Sequence, residues 1–493
     1  MTPPRCAFGT ASRDTRLAFV PSMPAQAGME PRLSPPPGGR RQWTGGAGST
    51  AFAWRRAALS VTISLTSLCA AAQCADEAPA ASLQHSEAAA RDQLRQLVQA
   101  AQARSRAVGI AALLKEAAEQ DLREARSAKQ AQASFNASLG PSAQRSESAF
   151  ASNVLQGAAS VGISRLLWDG GRSDRLVDWR ERLLEAAALG QITQQEQLAL
   201  STVSIALDRS RYQQHERVFG QYVRKMACLV DALQTIVDAD RGRASELLQA
   251  RKAMQQAELS LEQARAQRRQ TEIRLQRLVG DALPDTPAIG GALREAAPLE
   301  RLLAEAEQSA EVLQLARQAE AAHAFALALD AQRKPQLSWT ASASQRGGMG
   351  GTLGGSPLTA LAVGVNLSVP LWSPGLDPTV DAARLRARAA REQRDDSLEA
   401  RRARLKETWD QAGASFDRAD RVLAVLADSE KVREATLLQW QQLGRRSLFD
   451  VMGAESEHYS LRVAQVNAVH DGQQLQALLW SLGRGMVDWL QGR

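Results

Sequence analysis

The stretches QASFNASLG at 132–140 and QLSWTASAS at 336–344 carry nearly the same alternation of small polar and apolar residues, with Phe135 and Trp339 in the same place. A period of two over such a length predicts a strand with one apolar and one polar face. Each stretch has a companion. Alternation resumes from Leu155 through Ala159, Val161 and Ile163 and ends at LLWDGGR (166–172). In the second half Leu361, Val363, Val365, Leu367 and Val369 alternate with Ala362, Gly364, Asn366 and Ser368 before PLWSPG (370–375). Gly140-Pro141 with the Ser-rich residues after it, and RGGMGGTLGGSP (346–357), predict loops that make each pair a hairpin.

Outward from the hairpins the period becomes helical. Residues 82–130 are Ala-rich with Leu94, Leu97, Val98 and Leu113. From Ser173 to about Asp240 there is no proline, only Gly190 and Gly220, and apolar residues recur at helical spacing, as at Leu200, Val203 and Leu207. At 1.5 Å per residue such a helix spans roughly 100 Å, more than an ordinary globular domain. A turn at DADRGR (238–243) leads to a second long helix, 244–279. The second half repeats the order: a helix at 299–332, the two strands, a long helix from 378 to about 442, a turn at LGRRS (443–447) and a last helix at 448–490. Phe135 to Trp339 and Trp168 to Trp372 are both 204 positions, and Gly242 to Gly444 and Ser245 to Ser447 are both 202, so the half-chain is duplicated. The segments are a leader and signal peptide (1–75), N-terminal helices (76–130), a first hairpin (131–168), a first long helix pair (169–282), a linker with equatorial helices (283–334), a second hairpin (335–372) and a second long helix pair (373–493).

Charge argues against a nucleic-acid role. The net charge of the 493 residues is +7, but residues 1–72 hold eight arginines against Asp14 and Glu30, a net +6, so the rest of the chain is close to neutral. That leader is Pro-, Gly- and Arg-rich, then Arg55-Arg56 precede the apolar run AALSVTISLTSLCAAA (57–72), too short for a comfortable membrane helix. Basic flank, short apolar core and small residues read as a secretory signal peptide cleaved after Ala72, with Met23 or Met29 as alternative starts. Of four cysteines, Cys6 and Cys69 fall in the leader, Cys74 borders it and Cys228 is distant, so no disulfide framework is expected.

An exported chain with two-faced strands of membrane length implies a barrel, because an open sheet edge would leave backbone groups unpaired in hydrocarbon. Four strands cannot close one, so several copies must contribute. The fold class expected is therefore mainly α with a membrane β-barrel. The strand, LW and long-helix unit, together with GRRSLFDVMGAE (444–455), resembles the TolC family of outer-membrane channel-tunnel proteins over roughly 80–490. The resemblance implies a homotrimer with a 12-stranded barrel in the cell outer membrane and an α-helical tunnel through the periplasm. It also implies passive export with an inner-membrane transporter and a periplasmic adaptor (membrane fusion protein). GRRSLFDV with NAVHDGQQLQALLWSLG (467–483) is similar to the branch serving type I secretion, CyaE-type exporters of adenylate cyclase-hemolysin toxin among them. That branch implies an ABC transporter partner and a secreted protein substrate; multidrug efflux is the alternative.

The family pattern places acidic residues past the second-repeat turn around the tunnel entrance, here Asp450, with Glu246 as its first-repeat counterpart. Where the pattern has a second aspartate three residues on, this chain has Gly453. An acidic residue in a first helical turn is also favoured by the helix dipole alone. Arg241, Gly242 and Arg243, with Gly444, Arg445 and Arg446, are candidate adaptor contacts, although glycine in a helix–helix turn needs no function. Phe135, Trp168, Trp339 and Trp372 are candidates for an aromatic belt at the membrane boundary or for packing where barrel meets tunnel. Arg165, on the apolar parity of its strand near the periplasmic end, is expected to snorkel to the interface. The Gly-rich 347–355 lacks the lysine of a phosphate loop, and the five histidines have no metal-ligand spacing. No nucleophile–base set stands out, so no catalytic, metal or cofactor site is expected.

Overall fold

Two long helix pairs each grow out of one hairpin of a single four-stranded sheet. The computed structural model describes residues 87–146, 149–281, 283, 287–295, 297–349, 358–440 and 446–492, all within the unit Thr66–Arg493. The signal-peptide reading, Cys74, Gly444 and Arg445 lie outside the described residues. The elements are α1 (Glu87–Arg104), α2 (Arg106–Ser127), β1 (Gln132–Ser146), β2 (Ala149–Trp168), α3 (Arg172–Ala239) and α4 (Ala244–Val279). The second half holds α5 (Leu299–Glu305), α6 (Ala310–Asp330), β3 (Gln336–Met349), β4 (Leu358–Ser368), α7 (Leu376–Leu438), α8 (Leu448–Leu482) and α9 (Met486–Leu490). The duplication is visible in element lengths: α3 and α7 have 68 and 63 residues, α4 and α8 have 36 and 35.

The sheet is antiparallel in the order β1-β2-β3-β4. Phe135 lies opposite Val161, Val161 opposite Ala343, and Ala343 opposite Leu361. The row Ser134, Gly162, Ser342 and Ala362 runs beside it on the other face. A single register thus gathers the apolar positions of all four strands on one side and the hydroxyls on the other, as alternation requires. That apolar side is uncovered: Leu361 and Val363 are 81% and 85% exposed. No helix among the described residues is long and apolar enough to cross a membrane.

The structure departs from the sequence reading in six places. β1 does not break at Gly140-Pro141 but runs on to Ser146, with Pro141 opposite Leu155. β1 is an edge strand, where a residue lacking N–H is tolerated. β3 likewise continues through Arg346 to Met349, since the register with β2 holds to Leu155. The helix expected over 82–130 divides at Ser105, whose hydroxyl accepts from Val108 N and starts α2. The helix expected over 299–332 divides at Ser309, in extended conformation, and the last helix stops at Gly483 before Gly485 at φ 132°. Finally, Cys228 is disulfide-bonded, although no framework was expected, and the other cysteines lie outside the described residues.

The main core is a collar around the middle of the long helices. Leu94 and Leu97 of α1, Val203 and Leu207 of α3, Ile289 and Leu293 of the linker, and Met486 and Trp489 of α9 bury together. Polar anchors fix the linker's irregular backbone. Gln473 Nε2 donates to Gly290 O and Ala292 O at 3.1 and 2.6 Å, and Ala297 N donates to Gln476 Oε1 at 3.3 Å. Arg401 of α7 donates to Leu482 O and Ser481 O at 2.7 and 3.0 Å, closing the C-terminal end of α8 where carbonyls lack helical partners. Glu196 of α3 accepts from Val487 N at 3.1 Å and holds α9 in place. Burial raises the Glu196 pKa in spite of that bond.

Over residues 204–215 and 467–474 the seam between α3 and α8 is polar. Arg211 Nε donates to Asn467 Oδ1 at 2.8 Å, His215 Nε2 lies 2.9 Å from the same oxygen, and Gln474 Nε2 donates to Ser204 O at 2.9 Å. One turn on, His470 is 1% exposed and neither ring nitrogen has a hydrogen-bond partner among the described residues. Burial first, then the charge of Arg211, pushes its pKa down to about 3.

Two outcomes follow from these contacts. A methyl at Gly472 would lie 2.8 Å from the Phe416 ring, whereas the space at Gly453 is open. Gly472→Ala should cost about 1–3 kcal/mol by displacing the Phe416 ring from between α7 and α8, and Gly453→Ala should cost nothing. Thermal unfolding in detergent reads both, and equal melting of parent and Gly472→Ala would refute the close approach. For His470, the unfolded imidazole takes a proton below pH 6.5 and the folded one only near 3. Its contribution to stability is therefore complete above pH 6.5 and is lost as pH falls toward 3, at about 1.4 kcal/mol per unit. His470→Leu should flatten acid destabilisation over that window; parallel pH profiles for the two proteins would count against it.

Candidate functional site

The two-faced sheet and the far ends of the long helices are where a channel would meet membrane and partners. At the sheet, Phe135 is 69% exposed on the apolar face of β1, and Trp339 stands on the same face of β3, opposite Arg165. Arg165 Nε donates to Lys129 O at 3.3 Å, just before β1. Trp168 ends β2 at 51% exposure, and Trp372 lies between β4 and α7 at 85%. The four aromatics thus cluster at the strand ends next to the helices, without packing on one another.

The joints between sheet and long helices are built differently in the two repeats. After Trp168, Gly170 and Gly171 both take positive φ, 68° and 88°, which an L side chain adopts with difficulty. Buried Asp169 accepts from Gly171 N at 3.1 Å and from Ser173 N at 2.7 Å, and also from the Ser173 hydroxyl, so it caps the start of α3. Lys334 Nζ donates to Gly170 O at 3.0 Å from the far side. After Trp372 the turn uses Leu376 N donating to Ser373 O at 3.0 Å, and Gly375 has an ordinary φ of −80°.

At the opposite end of the helices the two turns come together. Val230 and Leu233 of α3, Leu247 and Ala250 of α4, and Leu448 and Met452 of α8 form one buried cluster. It brings Glu246 and Asp450 to neighbouring helix starts, each at the third residue of its helix. Their surroundings differ. Ser447 N and Ser447 Oγ both donate to Asp450 Oδ2 at 3.0 Å, and Asp450 N donates back to Ser447 Oγ at 3.3 Å, a complete capping box. The bonds from Ser447, with the nearby charge of Arg446, lower the Asp450 pKa. Glu246 follows Arg243, which gives no cap, and its Oε2 is buried without a hydrogen-bond partner among the described residues. Arg241, Gly242 and Arg243 form an exposed one-turn helix in which Gly242 N donates to Asp240 Oδ1 at 3.0 Å. Arg446 Nε donates to Gln439 Oε1 at 3.1 Å.

Sequence reasoning missed a buried charge network about two turns into α8 from this end. Glu455 of α8 is fully buried; its Oε1 lies 3.6 Å from Lys225 Nζ of α3 and its Oε2 3.3 Å from Arg433 Nη1 of α7. Arg433 also pairs with Glu430, whose Oε2 lies 3.3 Å from His458 Nε2. One carboxylate thereby ties three long helices at a single level. The signal available in sequence was Glu455 and His458 on one apolar face, and nothing in a single helix pattern says that Lys225, some 230 positions earlier, meets them.

No family model matches the chain. In sequence the chain is 24% identical over 343 residues to the outer membrane efflux protein BepC of Brucella suis biovar 1 (strain 1330), covering 68% of this chain and 74% of that protein. In structure it is similar to CusC, with a TM-score of 0.69 and 15% identity over 80% of this chain and 92% of the other. It is similar also to the outer membrane protein VceC of Vibrio cholerae, with a TM-score of 0.67 and 19% identity over 80% and 97%. The fold is that of the TolC-type outer-membrane channel-tunnels, and the chain is a homologue of an outer-membrane efflux protein.

Proposed function

We propose that three copies of this chain form the outer-membrane conduit of a type I secretion assembly. The conduit passes a protein toxin from the cytoplasm to the outside with an inner-membrane ABC transporter and a periplasmic adaptor. The observation that carries the channel reading is the sheet, exposed and apolar on one face, hydroxyl-bearing on the other, with β1 and β4 as edges. Setting β4 of one copy beside β1 of the next, three times over, pairs every edge and closes twelve strands. The long helices then continue the wall, and the aromatics at the strand ends sit at the membrane boundary.

At the periplasmic end, symmetry gathers three copies each of Asp450 and Glu246 at the entrance, where carboxylates favour cations and hold the passage narrow. The turns at 241–243 and 444–446 are the adaptor contacts. The type I assignment is supported by the second-repeat tip, GRRSLFDVMGAE with NAVHDGQQLQALLWSLG. Multidrug efflux is the second reading, supported by the name of the Brucella relative.

Gene deletion with parallel assays separates the two. Loss of a large protein from the culture supernatant with drug resistance unchanged is the expected result; drug hypersensitivity with an intact secretome would establish efflux instead. For the entrance, Asp450→Asn keeps a capping acceptor for Ser447 while removing the charge. It should lower cation preference or raise closed-state leak in planar bilayers, and unchanged selectivity and leak would remove Asp450 from the gate.

A further inference from the structure

We infer that Arg346 is the charge-selecting residue of the channel's outer mouth, favouring anionic over cationic solutes there. The inference rests on the channel reading above. The polar face of the sheet is otherwise neutral: among strand residues whose side chains are described, it presents Ser, Thr, Asn, Gln, Gly, Ala and Leu, and Arg346 is its one charged residue. The register leaves no doubt about the face. β3 pairs with β2 without a shift from Met349 back to Ser338, so Arg346 stands on the side of Ser344, Ser342 and Thr340, opposite Ala158 and Leu358.

Its height follows from the strand. Arg346 is ten residues beyond Gln336, the first residue of β3, and at about 3.3 Å per residue and a tilt near 45° it stands roughly 23 Å up the wall. The apolar band of an outer-membrane barrel is about 25 Å tall, so this level is its outer edge. Arg346 is exposed and has no ion pair among the described residues, so its charge is not spent inside the chain. In the helices, by contrast, several charged side chains are paired, as in the tie of Arg265 and Arg268 to Glu216. A guanidinium on a wall of hydroxyls acts on whatever passes, because no carboxylate among the described strand residues cancels it. Three-fold symmetry makes it a ring of three, and such rings set the sign of ion preference in pores. The effect is strongest in dilute salt, where the Debye length of about 30 Å at 0.01 M reaches across the opening, and fades at 1 M, where it is about 3 Å.

The test is reversal-potential measurement on the purified channel in planar bilayers, at low and high salt, for the parent, Arg346→Glu, Arg346→Gln and Arg346→Lys. The anion-to-cation permeability ratio should fall about two-fold or more in Arg346→Glu, less in Arg346→Gln, and stay unchanged in Arg346→Lys, with all differences vanishing near 1 M salt. A second measurement needs no variant. Hexametaphosphate added on the extracellular side of the parent at low salt should bind in the mouth and reduce current, and the same addition from the periplasmic side should do so less. Equal ratios in all four proteins, or no sided block of the parent, would overturn the proposal. So would a change in lipopolysaccharide binding without a change in selectivity, which would place the guanidinium among lipid phosphates. A parent protein that conducts no ions at all would instead overturn the channel reading.

Discussion

A hydrogen-bonded sheet with one apolar face and two open edges is the constraint on which everything else in this chain depends. The apolar face finds no cover among the described residues: Leu361, Val363 and Val365 all remain exposed. In water such a surface would promote association, and in hydrocarbon it is at home, but there the unpaired N–H and C=O groups of β1 and β4 carry a cost of several kcal/mol each. The closure by further copies proposed above would relieve both problems with one operation. The helices answer to the same demand, since a wall begun in the membrane has to be continued by something wide enough to meet it. Helices of 68 and 63 residues, each leaving the end of a hairpin, provide that continuation.

Within the helical part, stability is concentrated at particular levels instead of being spread along the length. The collar formed by α1, the linker and α9 supplies the apolar core, and Gln473, Gln476, Arg401 and Glu196 satisfy the irregular backbone that wraps it. Nearer the tip, Glu455 joins α3, α7 and α8 through Lys225 and Arg433. A buried ion pair of this kind is a weak source of net stability but a strict one of register, because breaking it strands a desolvated charge. Helices joined at separate levels by different chemistry can be held firmly at one and yield at another.

Much of this was legible in the sequence, and the reasons are specific. Alternation at 132–139 and 359–369 gave the strands and their faces because a half-exposed sheet writes its pattern directly. The repeat offsets of 204 and 202 gave the doubled order of elements. Breaks were harder. Gly140-Pro141 reads as a loop unless one knows that β1 is an edge, and an Ala-rich run conceals the cap at Ser105. Asp450 came from the family resemblance and Glu246 from the internal repeat, yet their unlike settings, one in a capping box and one with a buried oxygen, depend on Ser447 and Arg243 before them. Glu455 and His470 carry no local signature, since their partners or their burial come from helices far away in the chain.

The two joints between sheet and helix were inherited as copies and have become different objects. One is a pair of left-handed glycines clamped by Asp169 inside and Lys334 outside; the other is an open turn with Leu371 and Trp372 almost fully exposed. In the proposed three-fold assembly these joints would alternate, and the collar where barrel becomes tunnel would be mechanically a triangle: three fixed corners separated by three compliant sides. A load applied at the distant tip would be borne by the corners, and widening would proceed through the sides.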